Sequence, residues 1–459
     1  MTSQPHAANS HRLPAAALII CYGFVLTACL TIRPLWLDEV LQLIGTTSPS
    51  LESMLRWVPV NVGGVPLGYL TQRPIVLAGG PTAFWARLPS ALFSVASCWL
   101  IILLCRELKL PRTATLLAAA AFMILPAQIR SATEARPYSE ALCFSLLAAL
   151  CITKWASQPR VSTMLLCLLA VVAGLYTQPY TALAVCGLVF WTAASGILRG
   201  DGWRTAIPSI CLCISFLLFL PWYVVSLPQW DSSIQRSGYP KFHWTLNLGL
   251  DAFKGISGGS FVCSVAFLIL VVIGVRTTTA AIGGLLLSSA LFVVVGALAA
   301  DAWRDYFFAS RQLLFAVPAL SILAGLGLET ALRRRPLLGA ALVAAFVIAA
   351  LKNDVTMQLN AKEDWPAAAN ALAQVSRQGY CVQIAETQKG GVMLYSVFVP
   401  SLASSTCNTL TDQSKVALVS NLATGAETLN IFKEELRSLG FGTRKTVSVG
   451  GTTIEMEDR

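Results

Sequence analysis

Charge is what this sequence has least of. Of 459 residues only 12% are Asp, Glu, Lys or Arg, against roughly 25% in soluble domains, which excludes a wholly water-soluble chain. Histidine is almost missing: His6, His11 and His243 are the whole set, and no His/Cys grouping has the spacing of a zinc site. There is no Walker loop and no G-x-G-x-x-G fingerprint, so no nucleotide site is visible. Internal repeats and low-complexity tracts are lacking as well. The interiors of the apolar segments hold almost no ionisable residue, whereas an ion-coupled transporter carries carboxylates or His near mid-bilayer. The net charge is +10, but no basic aromatic face accompanies it outside the apolar segments, which speaks against a nucleic-acid partner.

What the chain does have is apolar length. It is 55% hydrophobic with a mean hydropathy of +0.66. Runs near the length of a membrane span fall at 15–32, 83–104, 113–129, 138–153, 161–177, 180–198, 205–225, 261–275, 280–300, 312–331 and 336–351, predicting about 11 transmembrane helices. An odd number puts the termini on opposite sides. One set of short loops carries Arg12, Arg106, Lys109, Arg112, Lys154, Arg160, Arg199, Arg204, Arg276 and Arg333 to Arg335, and basic short loops stay cytoplasmic. The N-terminus is therefore expected inside and the segment after 351 outside. Leu26-Thr27-Ala28-Cys29 has the form of a lipoprotein cleavage box, but it lies inside the first apolar run and is read as part of a transmembrane helix.

The expected fold class is an all-α polytopic membrane domain, residues 1–351, with a small C-terminal α/β extracytoplasmic domain, residues 352–459. Outer-face loops 33–82, 226–260 and 301–311 exceed mere connections, and Leu51 to Trp57 has the pattern of an interfacial amphipathic helix. In the tail, Asp364 is an N-cap followed by Pro366 and a helical apolar spacing to Val375. Tyr380 to Ile384 and Lys415 to Val419 read as strands, Ala426 to Leu439 as a helix, and Val447 to Ile454 as a hairpin around Gly450-Gly451. All cysteines except Cys381 and Cys407 lie in or beside apolar helices, where Cys acts as a small hydrophobe. Those two sit where an oxidising compartment permits a disulfide.

The ionisable residues gather on one side: Asp38/Glu39, Arg73, Glu134/Arg136/Tyr138, Lys241/His243 and Arg304/Asp305/Arg311. Carboxylates mixed with Arg suit a reaction that deprotonates one group and expels an anionic one. Asp38 and Glu39, flanked by Trp36, Leu37, Val40 and Leu41, are poorly solvated and stand out as candidates for chemistry. A hard divalent ion held by Asp38 or Glu39 is the one metal option the composition leaves open.

These residues also resemble a known family. Asp38-Glu39 at the outer end of a first helix resembles the glycosyltransferase C superfamily, in particular the branch of protein O-mannosyltransferases and lipid A aminoarabinose transferases. Ala86-Arg87-Leu88-Pro89-Ser90-Ala91-Leu92-Phe93 is similar to that branch's "RLPSALFG" stretch, and Ser131 to Tyr138 to its "S-x-EAR-x-Y" segment. Tyr176 to Tyr180, Arg311 to Pro318 and Asp364 to Ala368 echo "YTHY", "RYLLPALP" and "DWRxAA". Gly64 to Tyr69 stands where the family often has "HPPLYY", and Gln178 replaces the His of "YTHY". The resemblance implies a polyprenyl-phosphate sugar donor reaching the site through the lipid bilayer, and an acceptor that the sequence does not specify. It implies inverting single displacement, with Asp38 as general base and Glu39 or Glu134 orienting the acceptor. Arg136, with Arg73 or Arg311 and beside Tyr138, would bind the donor phosphate, and Lys241, His243 and Arg304 are loop or acceptor candidates. An O-antigen ligase or polymerase-type enzyme using lipid pyrophosphate glycans is the alternative, followed by a transporter or flippase.

Overall fold

The computed structural model describes residues 12–459 except 62, 201, 237–241, 244, 258–259, 305–308, 362, 386–390, 408 and 422–423. Helix α1 (Arg12–Cys29) stops ahead of Pro34, and the stretch read as loop 33–82 folds into α2 (Leu37–Thr46), α3 (Leu51–Trp57) and α4 (Pro66–Gly79). The chain continues through α5 (Ala83–Glu107), α6 (Arg112–Ile124), α7 (Pro126–Ala132), α8 (Tyr138–Ser157), α9 (Val161–Thr177) and α10 (Thr181–Arg199). Then come α11 (Gly202–Arg236), α12 (Leu246–Ser257), α13 (Phe261–Thr277), α14 (Ala280–Arg304), a 3-10 turn at Ser310–Ala316, α15 (Val317–Arg334) and α16 (Pro336–Leu359).

Among the described residues seven helices are long and apolar enough to cross a membrane: α5, α8, α10, α11, α14, α15 and α16. The pair α6 and α7 is an eighth, bent by 64°. Pro126 causes that break, because it opens α7 and cannot continue the hydrogen bonding of α6. Helices α1, α9 and α13 are apolar but shorter. The expected eleven is reached only by adding these three, so length and apolarity alone fix seven or eight.

Helix α15 is the most enclosed of the spans, whereas α11 and α16 leave most of their surface for lipid. Small residues allow the close packing that membrane helices need, since lipid gives no hydrophobic drive to associate. A Cβ on Gly274 of α13 would stand 1.9 Å from the carbonyl oxygen of Leu323, and one on Gly327 1.9 Å from that of Leu270.

The tail folds into α17 (Trp365–Arg377), β1 (Cys381–Ile384), α18 (Met393–Ser396), β2 (Lys415–Asn421), α19 (Ala426–Ser438), β3 (Gly442–Val449) and β4 (Thr452–Asp458). The sheet order is β1-β2-β4-β3, with β1 parallel to β2 and the β3–β4 hairpin antiparallel. That hairpin turns on Gly450 and Gly451, both at positive φ, as a tight two-residue loop requires. Asp364 accepts from the Ala367 amide at 3.0 Å and caps α17. Cys381 and Cys407 are disulfide-bonded. This small domain rests on α2 and the residues just before it: Leu35, Val40, Leu43 and Ile44 share one buried apolar cluster with Trp365, Leu372, Leu394 and Tyr395.

Candidate active site around the first turn of α2

Two neighbouring residues in a helix point about 100° apart, and here that separation divides Asp38 from Glu39. Glu39 faces α5 and is wholly buried. Its carboxylate accepts from Arg87 Nε at 2.8 Å and Nη2 at 2.7 Å, from the Ala135 amide at 2.6 Å and from the Trp36 amide at 3.2 Å. Arg87, also buried, spends its other donors on the carbonyls of Leu30, Arg33 and Pro34 at 2.6–2.9 Å. The pair ties together the segment that follows α1, the start of α2, α5 and the 133–137 loop. Every polar atom is satisfied, as a buried ion pair requires. Glu39 is thereby a structural anchor, with both oxygens committed, and the structure does not present it to a substrate.

Asp38 turns the other way. Its carboxylate accepts from Arg311 Nη1 at 2.8 Å, with the aspartate side chain one-fifth exposed. Arg136 Nη1 donates to the Asp38 carbonyl at 3.5 Å. The guanidinium carbons of Arg136 and Arg311 each stand 5.9 Å from the centroid of the Tyr138 ring, within cation–π range. Glu134 lies close by, paired with Arg33 and Arg130 at 3.4 Å each. Burial pushes its carboxyl above the ordinary value, against the pull of Arg33 and Arg130. Four guanidiniums thus meet two carboxylates, and Arg136 Nε and Arg33 Nε are buried without an acceptor. A site with surplus positive charge and open donors suits a bound anion, and planar Arg suits phosphate.

The remaining candidates do not all converge. Arg73 Nη1 donates to the carbonyls of Thr46 at 2.8 Å and Ser48 at 2.7 Å, so it closes the C-terminal end of α2. Arg304 pairs with Asp231 and lines a cavity beside the cluster. His243 is exposed, ahead of α12. Lys241 and Asp305 lie outside the described residues. Asp38 and Glu39 diverge onto different arginines, so they do not form a joint metal site, and no group of three His, Cys, Asp or Glu with metal-binding geometry occurs among the described residues.

Two cavities flank the cluster, and both touch Tyr138 and Arg311. One, of about 330 Å³, is lined by Gln42, Tyr69, Arg136, Trp230 and Asp301 among others. The second, of about 480 Å³, is bounded by Arg130, Glu134, Asp251, Lys254 and Ser310. The sequence stretches that echo a family come together here. Gly64, Val65 and Tyr69 from one, Gln178 and Tyr180 from another, and Arg311 and Gln312 from a third all line the first cavity. Sequence reasoning missed Arg87 as the partner of Glu39, Arg33 and Arg130 as partners of Glu134, and Asp301. It read 301–311 as an outer loop, whereas Asp301 belongs to the last turn of α14. It also missed Glu363, which accepts from the Leu37 amide at 2.7 Å and so caps α2 from the C-terminal domain.

Residues 65–224 match the family model described as "Dolichyl-phosphate-mannose-protein mannosyltransferase". No curated protein sequence matches. Among solved structures, the fold is similar to apo ArnT from Cupriavidus metallidurans, with 12% identity, 98% of each chain covered and a TM-score of 0.66. It is similar to the same protein bound to undecaprenyl phosphate, with 11% identity, 96% of this chain and 97% of that one covered and a TM-score of 0.65. It also resembles the archaeal oligosaccharyltransferase AglB from Archaeoglobus fulgidus in complex with an inhibitory peptide and a dolichol-phosphate. There identity is 10%, 79% of this chain and 58% of that one are covered, and the TM-score is 0.50. The chain has the glycosyltransferase C fold. The expectation of a glycosyltransferase of that superfamily is supported by sequence over 65–224 and by fold over nearly the whole chain.

Proposed function

We propose that this chain is an integral membrane glycosyltransferase that moves a sugar from a polyprenyl-phosphate donor to an acceptor hydroxyl. The observation that carries the reading is the surplus of guanidinium around Tyr138, with one partly exposed carboxylate, Asp38, at its edge. The ArnT structure with undecaprenyl phosphate and the AglB structure with dolichol-phosphate support a polyprenyl-phosphate ligand. The reaction runs on the face that carries the C-terminal domain. In this reading the chain lies in a bacterial plasma membrane with that face outside the cytoplasm; the basic short loops support the orientation, and the Cys381–Cys407 disulfide agrees with an oxidising compartment. Nucleotide sugars do not reach that face; a lipid-linked donor arrives laterally through the bilayer.

In this mechanism Asp38 takes the proton of the acceptor hydroxyl as the acceptor oxygen bonds to the anomeric carbon. The bond from that carbon to the phosphate oxygen breaks, and the polyprenyl phosphate departs with the electron pair. Arg311 and Arg136 stabilise the charge that develops on the phosphate. The leaving group needs positive charge more than a proton, so one base suffices, and a single displacement inverts the anomeric centre. Glu134 holds Arg33 and Arg130 in place around the anion.

The second cavity, with Arg130 and Lys254 on its walls, favours one other reading, a glycan transferase using a lipid pyrophosphate. The test is a transfer assay on protein in lipid nanodiscs, offering polyprenyl-monophosphate and polyprenyl-pyrophosphate sugars in parallel. The expected result is release of polyprenyl phosphate with an inverted glycoside from a monophosphate donor. Turnover of pyrophosphate donors alone moves the chain to the second reading, and turnover of neither overturns both.

A further inference from the structure

The cavity beside Tyr138 is lined by more than the arginines of the proposed phosphate site. Asp301, 2% exposed, accepts on Oδ1 from Tyr180 Oη at 2.9 Å and from Gln312 Nε2 at 3.3 Å. Gln312 Nε2 also donates to Tyr180 Oη at 2.9 Å. Asp301 Oδ2 and Gln312 Oε1 are buried without a hydrogen-bond partner, and so is Trp230 Nε1. The nearest arginine in sequence, Arg304, is committed to Asp231.

Buried polar atoms left unpaired cost about 1–3 kcal/mol each, and native proteins seldom keep them without a reason. The three residues that carry these two unmet acceptors and one unmet donor all line the one cavity, which suits a ligand rich in hydroxyls, since these both donate and accept. Tyr69, Tyr138, Tyr223 and Trp230 line the same cavity and offer ring faces for the apolar side of such a ligand. The unpaired carboxylate oxygen of Asp301 favours a hydroxyl over a phosphate as its partner, because an anion beside it is repelled. At about 330 Å³ the space lies at the small end of ligand pockets, sized for a single sugar ring and not for a long glycan.

We propose that Asp301, Gln312 and Tyr180 form the subsite that recognises the donor's monosaccharide, with Asp301 Oδ2 accepting from a sugar hydroxyl. This inference rests on the transferase reading above. It orients the donor with its phosphate at Arg136 and Arg311 and its sugar ring pointing toward α14. None of the three residues is assigned to the chemical step; they fix which sugar is accepted and how it is turned.

The test is a binding titration in nanodiscs with three probes: undecaprenyl phosphate, undecaprenyl-phosphate glucose and undecaprenyl-phosphate mannose. Wild type is expected to bind at least one sugar-bearing lipid more tightly than the bare one. Asp301→Asn replaces an acceptor with a donor and should erase that preference, weakening the favoured sugar lipid roughly tenfold while bare lipid stays within about twofold. Tyr180→Phe, a gentler change, should reduce the same preference by a smaller factor with the fold intact. Equal weakening for bare and sugar-bearing lipid, no change for either, or a wild type that binds all three alike would overturn the subsite and leave the phosphate site standing. A wild type that binds no polyprenyl phosphate would instead overturn the transferase reading itself.

Discussion

The first turn of α2 has two faces, built from adjacent residues of the same charge, and they have opposite fates. On one, Glu39 is sealed against Arg87, with every donor and acceptor matched and no exposure. On the other, Asp38 meets Arg311 at a partly open edge where cations outnumber carboxylates and some donors have no acceptor. A matched pair fixes geometry, and an unmatched cluster has capacity left for a ligand. The difference assigns the two carboxylates separate surroundings: Glu39 joins elements of the fold, and Asp38, the base in the proposed reaction, stands at the partly open edge.

Breaking the anchor should have the largest effect. Arg87→Ala strands a buried carboxylate and should cost about 3–5 kcal/mol of stability, seen as a lower midpoint in thermal unfolding and poor yield of monodisperse protein. Disturbing the open face should spare the fold and lower turnover. Arg311→Ala removes charge stabilisation of the leaving phosphate and should reduce transfer by roughly 10²- to 10³-fold, with an unfolding midpoint close to wild type. A smaller effect is expected from above the site, because Glu363 caps the Leu37 amide. Glu363→Ala should cost about 1 kcal/mol and loosen α2, readable as faster hydrogen exchange at its first turn. The smallest effect concerns Glu134, whose carboxyl is raised above its ordinary value of 4.5 chiefly by burial. A raised folded-state value means that its contribution is fully present below the unfolded value and is lost as pH rises through the folded one. The stability of wild type relative to Glu134→Gln should therefore decline as pH rises from about 4.5 upward, measured as paired thermal midpoints across a pH series.

Much of this arrangement was legible in the sequence, and the exceptions have physical causes. Apolar run lengths placed the helices, and Pro126 explains why the run 113–129 is a bent pair and not one straight span. The Gly450-Gly451 turn gave away the hairpin, because few other residues accept positive φ at both positions. Asp364 and Pro366 announced α17. Asp38, Glu134, Arg136, Tyr138 and Arg311 were expected on one face from the alternation of the apolar runs, and Arg311 does meet Asp38 and Tyr138. What could not be read was which of two adjacent carboxylates would be neutralised. That depends on Arg87, 48 positions away, and on a loop amide at Ala135, contacts set by packing and absent from any local pattern. Arg73 looked like a phosphate ligand but donates to the carbonyls of Thr46 and Ser48, since an arginine near a helix end satisfies whichever acceptors packing brings to it. Asp301 escaped notice because its partners Tyr180 and Gln312 lie 121 and 11 positions away.

The most direct test of the two-faced turn is to compare Asp38→Asn and Glu39→Gln, measuring folded fraction and sugar transfer on the same preparations. Asp38→Asn should fold as wild type does and lose roughly 10²- to 10⁴-fold in transfer. Glu39→Gln should lose stability while its remaining folded molecules transfer at close to the wild-type rate. Full transfer by Asp38→Asn, or inactive but well-folded Glu39→Gln, would contradict the account and exchange the roles of anchor and base.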